Sequence, residues 1–406
     1  MKKQFLFWLF TSLVVLLSSC SNDTSNNIES TTKQTILVYM PWTGSNSNSG
    51  LYNIFLQNLD SIESGIKTNK GLGDSRLIVF LSTSPSESSL YEVTYDNGAF
   101  KHIPIKSYTG SSYTTAEGIS QIINDTKSAA YALNYAMIIG CHGTGWTYKA
   151  DWVDYPNKAK SYEISTIYND NSYVKTRFFG SVSDLQNYAT DVEVLAAGLE
   201  QSGTKFQYIL FDDCYMANVE TAFMLKNVTN YLIGSTSEVI DLGMPYATMW
   251  KGLASATPNY DTIVSSFYDF YSNYKVKSGA ISVIDCRQVE NLASIMKDIN
   301  LSSTFADSLR SQIQVLDGFH SAIFFDTGDY VDKLCANTTL KGLFNDQLKK
   351  VVKKEAHTEQ IYSYLYPTGP KYIDIKTYSG ITISDPTVNS APIKELQQTG
   401  WWKATH

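Results

Sequence analysis

The amino-acid sequence predicts an α/β protein, an α/β/α sandwich built on a mostly parallel central sheet. Two observations lead to this prediction. Six short apolar runs recur without polar alternation, which is typical of strands that are covered on both faces. Segments with helical periodicity lie between these runs, and alternating strands and helices favour a parallel sheet with helices on both sides.

The predicted elements follow one another in a regular order. The predicted strands are TILVYM (35–40), RLIVFLS (76–82), YAMIIGC (135–141), FQYILFD (206–212), YLIGST (231–236) and AISVID (280–285). The predicted helices cover about 51–66, 115–132, 190–202, 217–227 and 259–275. The stretch 89–105 contains Asp-Asn-Gly, which predicts a β-hairpin inserted after the second strand. A helix near 340–355 and short strands at 371–383 predict a smaller C-terminal subdomain packed on the sandwich.

The first twenty residues, MKKQFLFWLFTSLVVLLSSC, have the pattern of an export signal rather than of the fold. Two lysines precede an apolar stretch that is too short to span a bilayer comfortably. The closing Leu-Ser-Ser-Cys resembles a bacterial lipobox, which implies that Cys20 carries a lipid; an ordinary signal peptide with an incidental cysteine is the alternative. We therefore expect an exported protein anchored by lipid to a bacterial membrane, and the sequence leaves open which face of the membrane it occupies.

Four segments are expected along the chain. They are a signal peptide at 1–19, lipidated Cys20 and a polar tether to residue 34, the α/β/α domain at 35–300, and the C-terminal subdomain at 301–406. Residues 147–188, rich in Tyr, Asn, Asp and Ser, interrupt the α/β/α domain. A loop of this length within a compact domain is usually functional or mobile.

Composition excludes several classes of protein. Of the 406 residues, 43% are hydrophobic and 17% are charged, which is typical of a globular chain. The net charge is −7 without a basic patch, so nucleic acid is not an expected partner. There is no CxxC pair and no His/Cys cluster at zinc spacing. No cofactor is expected to be required, and calcium is compatible with the sequence but not indicated by it.

Two residues with catalytic chemistry follow neighbouring predicted strands. His142 and Cys214 each come just after an apolar run, where ligands bind to open parallel sheets. An imidazole activates a thiol and later protonates a leaving amine, so the pair is the minimum equipment for nucleophilic catalysis. Gly143 allows close approach of a substrate carbonyl, and the N–H groups of Gly143 and Cys214 are candidates for an oxyanion hole.

These motifs resemble a known family. His-Gly after one strand and Asp-x-Cys after the next resemble the caspase-like cysteine peptidases. Within that clan, HGTGW (142–146) and DDCYMANVE (212–220) resemble the clostripain family. The shorter stretches TSE (236–238), GMPY (243–246), SGITIS (379–384) and GWW (400–402) are also similar to clostripain-like sequences. GMPY departs from relatives that carry a Trp before Pro-Tyr, which affects expectations of fine specificity.

The resemblance implies a caspase-like fold and a role for each motif residue. Cys214 is then the nucleophile and His142 the general acid/base. Relatives commonly cleave after Arg or Lys and use an acid two residues before the nucleophile, which is Asp212 here. Relatives are also cut between the His and Cys strands, so the basic residues of 147–188 are candidate self-cleavage sites. The expected partner is a peptide or protein with Arg or Lys before the cleaved bond.

Each residue also has an ordinary structural interpretation. A lone cysteine is usually a small buried hydrophobe, and a lone histidine is usually satisfied by a backbone bond. Asp212 and Asp213 are both candidates to cap the following helix, and Asp213 is otherwise expected to be solvated. Cys141 should point away from His142 into the core, because side chains alternate along a strand.

Three functions compete at this point. The favoured one is an endopeptidase that cleaves after Arg or Lys through a thioester acyl-enzyme. The first alternative is a non-catalytic surface lipoprotein that binds peptide or glycan on a peptidase-like scaffold, which the 28 tyrosines support. The second alternative keeps the enzyme but directs it to Asp or Asn, and the charge of Asp212 opposes an acidic preference.

Overall fold

The computed structural model describes residues 32–43, 50–152, 188–365 and 370–406, and Thr32–His406 form one compact unit. The strands are β1 (Gln34–Met40), β2 (Ser75–Ser84), β3 (Glu87–Asp96), β4 (Ala99–Thr109), β5 (Asn134–Gly140), β6 (Phe206–Asp212), β7 (Thr229–Gly234), β8 (Ala280–Asp285), β9 (Phe325–Asp326), β10 (Val352–His357), β11 (Gln360–Ser363), β12 (Lys371–Asp374) and β13 (Thr382–Ile383). The α-helices are α1 (Tyr52–Thr68), α2 (Ala116–Ala129), α3 (Lys149–Trp152), α4 (Val192–Gln201), α5 (Val219–Leu225), α6 (Tyr246–Leu253), α7 (Tyr260–Asn273), α8 (Val289–Ser302), α9 (Thr327–Leu334), α10 (Thr338–Val351), α11 (Ile393–Leu396) and α12 (Gly400–Thr405). Short 3-10 helices cover Ser112–Thr114, Cys286–Gln288 and Asp307–Gln312.

A nine-stranded sheet in the order β10-β8-β7-β6-β5-β1-β2-β3-β4 organises the described chain. Strands β7, β6, β5, β1 and β2 are mutually parallel, and the strands added at both edges are antiparallel. The predicted mostly parallel α/β sheet is thereby confirmed. The predicted hairpin is confirmed as β3 and β4, where Asn97 and Gly98 adopt φ values of 50° and 83° in the connecting turn.

Side chains that alternate along the strands build two apolar layers, one on each face of the sheet. Leu37, Ile139 and Phe211 belong to one layer, which packs against α2, α4, α5 and α8. Val38, Ile138 and Leu210 belong to the other layer, which packs against α1, α6 and α7. This burial of both faces explains why the strands read as continuous apolar runs.

The chain beyond residue 300 differs in part from expectation. The predicted helix near 340–355 ends at Val351, and the next residues form β10, which pairs antiparallel with β8. Pairing with an open sheet edge outweighs helical propensity here, helped by consecutive valines at 351 and 352. The division of the chain at residue 300 stays a prediction. Within the described ranges, no helix combines the length and apolarity needed to cross a bilayer.

Candidate active site

The register of β5 and β6 brings His142 and Cys214 to the same sheet edge. Gly140 pairs with Asp212 in these parallel strands, so His142 and Cys214 each follow a paired position by two residues. The two connections also touch through their main chains. A Cβ atom added to Gly143 would lie 2.4 Å from the Cys214 carbonyl oxygen and 3.0 Å from its nitrogen. Only a glycine fits so close an approach without movement.

Cys214 lies in a closed, mostly apolar environment. Cys214 is 0% exposed, and His142 is 9% exposed. The Cys214 sulfur accepts a hydrogen bond from the Val239 N–H at 3.2 Å, just beyond the end of β7. An apolar cluster encloses the residue and includes Trp146, Trp152, Tyr215, Val239, Phe319, Ile323, Phe324, Leu365 and Leu396. Segments distant in sequence thus pack over the strand end and bury the thiol.

A cavity of about 100 Å³ opens beside His142. Gly143, Trp42 and Asp213 are among its lining residues, and Cys214 is not. Tyr39, Ile139 and Phe211, near the ends of their strands, also line it. His142 thus lies at an accessible space, whereas Cys214 lies under the apolar cluster.

Asp213 links the two strand ends instead of capping a helix. It is buried and accepts hydrogen bonds from the Cys141 N–H at 2.9 Å and from the Cys141 thiol at 3.1 Å. Asn218 caps α5, since its side-chain oxygen accepts from the Thr221 N–H at 2.7 Å. The expectation that Asp213 caps the helix or is solvated is therefore wrong. Cys141 is only partly buried: it packs against the apolar layer that contains Ile139 and Phe211, as expected, but it also lines the cavity.

Asp212 is 0% exposed and is held by the GMPY segment. One carboxylate oxygen accepts from the Met244 N–H at 3.0 Å, and the other accepts from the Tyr246 hydroxyl at 2.8 Å. Asp212 does not cap α5. Its carboxylate lies against Met244 and Tyr246 of this segment. A desolvated carboxylate in this position attracts a cationic side chain strongly.

Two further carboxyl groups are buried behind the HGTGW loop. The Ser384 N–H donates to Glu220 at 2.8 Å, and the Trp146 indole donates to the Ser384 hydroxyl at 2.8 Å. Burial raises the pKa of Glu220 to about 8 and that of Asp385 to about 7. The SGITIS segment thus fixes Trp146 through a polar contact that its sequence alone does not indicate.

The remaining chemistry of the described residues is limited. Cys141, Cys214, Cys286 and Cys335 form no disulfide among themselves. In the same part of the chain, no three His, Cys, Asp or Glu side chains are grouped so that they can hold a metal ion. The sequence does not predict the hydrogen bond from the Val239 N–H to the Cys214 sulfur. The neighbouring TSE motif identifies this segment but does not indicate which main-chain group faces the thiol.

Solved structures that are similar to this chain include cysteine proteases. A secreted C11 cysteine protease from Bacteroides thetaiotaomicron, "iotapain", is 42% identical with a TM-score of 0.81, and the match covers 93% of this chain and 99% of that one. A clostripain from the same organism, in complex with the peptide inhibitor BTN-VLTK-AOMK, is 49% identical with a TM-score of 0.52 over 54% of this chain and 96% of that one. An inactive zymogen C11 protease from Parabacteroides distasonis is 25% identical with a TM-score of 0.73 over 93% and 99% of the two chains.

The family model also matches the sequence itself. The Clostripain family model, peptidase C11, covers residues 38–367. The chain belongs to the clostripain family of cysteine proteases, which are hydrolases with a caspase-like fold. Among curated proteins, none matches the chain significantly.

Proposed function

We propose that this protein is an endopeptidase that cleaves after Arg or Lys, with Cys214 as nucleophile and His142 as general acid/base. The observation that carries this proposal is the shared sheet edge, where Gly143 contacts the main chain of Cys214. A thiol and an imidazole held by adjacent parallel strands are fixed by the rigid sheet behind them. Family membership supplies the reaction class.

The proposed reaction proceeds in two steps. His142 takes the thiol proton as the sulfur attacks the substrate carbonyl, and it then returns a proton to the leaving amine. Water hydrolyses the resulting thioester. The Val239 N–H favours the thiolate, since an N–H donor stabilises a negative sulfur more than a neutral one. The Gly143 and Cys214 N–H groups are proposed to stabilise the oxyanion.

Asp212 is proposed to select the basic side chain. Its buried carboxylate supplies the charge, and Met244 and Tyr246 fix its orientation. The peptide inhibitor in the 49%-identical clostripain, BTN-VLTK-AOMK, has lysine as its last peptide residue, which supports the same preference here. Cleavage after Asp is disfavoured because it places two carboxylates together.

Self-processing is proposed within 147–188, because Cys214 has no exposed surface in the described conformation. Substrate reaches the sulfur only after the covering side chains move, and cleavage of the chain is one way to release them. Most of this loop, residues 153–187, lies outside the described residues. Intact chain after wild-type expression would count against self-processing, and a cut Cys214→Ala chain would identify another protease as responsible.

Export with a lipid at Cys20 is proposed from the lipobox-like sequence. The similar "iotapain" is described as secreted, which supports export but not the lipid. Residues 1–31 lie outside the described part of the structure. Incorporation of a radiolabelled fatty acid in the wild type and its loss in Cys20→Ser is the test.

The central experiment is a fluorogenic peptide panel with Arg, Lys, Asn or Asp before the cleaved bond. Wild type should turn over Arg and Lys peptides, with or without EDTA, because both reacting groups belong to the chain. Cys214→Ala should abolish turnover. Cys286→Ala is the matched control, since Cys286 is a buried thiol next to Asp285, which pairs with Tyr231 at the opposite end of β7. No turnover, even after limited proteolysis, would favour the non-catalytic binding protein.

A further inference from the structure

Tyr215, which directly follows the proposed nucleophile, has an unusual backbone conformation. Its φ is +64°, in the left-handed region that L-residues disfavour. In the described residues, two other non-glycine residues have positive φ, Lys70 and Asn97, and both lie in exposed turns. Tyr215 is 0% exposed, so its conformation is imposed by surrounding contacts rather than permitted by a free turn.

Contacts on the main chain of Tyr215 hold this conformation. Its N–H donates to the Ser237 carbonyl at 3.0 Å, and its carbonyl accepts from the Asn218 side-chain amide at 2.7 Å. Ala217 donates to the Ser235 carbonyl at 2.9 Å. The turn between β6 and α5 is therefore docked along the segment that follows β7.

The side chain of Tyr215 is anchored at both its ring and its hydroxyl. The ring stacks on Phe324 with centroids 4.7 Å apart and planes at 11°. The hydroxyl donates to the Glu238 carboxylate at 2.9 Å. Glycine would adopt the same φ at no steric cost, so the presence of tyrosine indicates that these anchors matter more than the strain.

Glu238 is itself buried and fixed by a second segment. It is 2% exposed, and its carboxylate also accepts from the Ser363 hydroxyl and from the Tyr364 N–H, the latter at 3.0 Å. A carboxylate with this number of donors is held in one orientation. Ser363 and Tyr364 lie at the end of β11, far along the chain from the nucleophile.

Hydrogen bonds and chain connections link Cys214, Tyr215, Glu238 and Val239 into a closed ring that includes the sulfur. Tyr215 follows Cys214, its hydroxyl binds Glu238, Glu238 precedes Val239, and the Val239 N–H binds the Cys214 sulfur at 3.2 Å. We propose that Tyr215 and Glu238 are positioning residues that together hold the Cys214 sulfur against the Val239 N–H. This inference rests on the proposed role of Cys214 as nucleophile.

The test compares Tyr215→Phe with Tyr208→Phe in the full-length chain, each assayed before and after limited proteolysis so that any difference in self-processing is removed. Tyr208 is the matched control because it is equally buried on β6, and its hydroxyl donates to the Leu253 carbonyl at 3.1 Å, away from the sulfur. Tyr215→Phe should lower kcat by about 10- to 100-fold and leave KM within about twofold, because a displaced nucleophile impairs reaction rather than binding. Tyr208→Phe should leave both constants near wild type.

A second measurement reports on the sulfur directly. In the proteolysed proteins, the pH midpoint for labelling of Cys214 by iodoacetamide, followed by peptide mass spectrometry, should rise in Tyr215→Phe, because the sulfur loses a donor that favours the thiolate. Glu238→Gln should shift the midpoint in the same direction. The double variant should be no worse than the more impaired single variant, as expected for two residues that act as a unit.

The outcomes separate this inference from the proposed function. If Cys214→Ala retains turnover, Cys214 is not the nucleophile and both proposals are overturned. If Cys214→Ala is inactive but Tyr215→Phe matches Tyr208→Phe in kcat and in labelling midpoint, the positioning role alone is overturned. A change confined to KM in Tyr215→Phe would also contradict it.

Discussion

Replacing Asp212 by Asn removes a charge from the proposed specificity site while keeping its shape. The Asn carbonyl still accepts from the Met244 N–H, and the Tyr246 hydroxyl, which donates to the wild-type carboxylate at 2.8 Å, can rotate to accept from the new amide N–H. Hydrogen bonds to charged groups contribute about 1.5–3 kcal/mol and neutral ones about 0.5–1.5 kcal/mol. The difference is about 1–1.5 kcal/mol for each of the two bonds, so we expect a loss of about 2–3 kcal/mol in the free energy of unfolding, with the fold retained.

The effect on selectivity should be larger than the effect on stability. Truncating one partner of a desolvated charge pair costs about 2–5 kcal/mol. Since about 1.4 kcal/mol corresponds to a tenfold change, kcat/KM for an Arg peptide should fall by roughly 30-fold to several thousand-fold. A peptide with citrulline, the neutral analogue of Arg, should change little. The measurement is the Arg-to-citrulline ratio of kcat/KM in both proteins.

Asp285→Asn provides the matched control for this experiment. Asp285 is a buried carboxylate paired with Arg287, and it lies opposite Tyr231 at the far end of β7 from the site. It should reduce stability without altering the Arg-to-citrulline ratio. If Asp212→Asn folds normally and keeps the wild-type ratio, Asp212 does not select the basic side chain.

Two further predictions follow from the buried geometry. Gly143→Ala should lower kcat by at least about 100-fold, because the added Cβ would lie 2.4 Å from the Cys214 carbonyl oxygen and displace an oxyanion donor. Steady-state kinetics on protein with a wild-type circular dichroism spectrum checks this. Burial raises the pKa of Asp385 to about 7 and that of Glu220 to about 8. Above about pH 4 the folded state therefore binds more protons than the unfolded state, and the free energy of unfolding falls as the pH rises towards 8. Asp385→Asn should therefore reduce the difference in melting temperature between pH 5 and pH 8, and an unchanged difference would show that this carboxyl does not titrate between the two pH values.

The sequence predicts well which strands carry His142 and Cys214, because each strand is identified by its own apolar run. Continuous apolar runs identify β5 and β6, and both faces of these strands are indeed covered. In a parallel pair, the residues that follow the two strands emerge at the same edge. The proximity of Gly143 to Cys214 therefore follows from strand order and register alone.

The surroundings of the two side chains are not predictable in the same way, because they come from distant segments. Phe324, Leu365 and Leu396 join the cluster that covers Cys214, and each lies more than a hundred residues beyond it. Asp213 illustrates the same limit. An acid before a helix favours a cap, but a neighbouring strand offers Cys141 as a partner, and Asn218 is available as the cap.

The strands that hold His142 and Cys214 are separate from the segments that cover the sulfur, and this separation has a consequence for activation. The strand register that joins His142 to Cys214 does not depend on the covering segments, so uncovering the sulfur need not disturb the pair. The Val239 N–H and the Tyr215–Glu238 contact lie between these layers, since they bind the nucleophile turn on one side and Tyr364 on the other. Glu238 therefore contacts the nucleophile turn through Tyr215 and the residue before Leu365 through Tyr364, so one carboxylate joins the positioning residues to the covering segment.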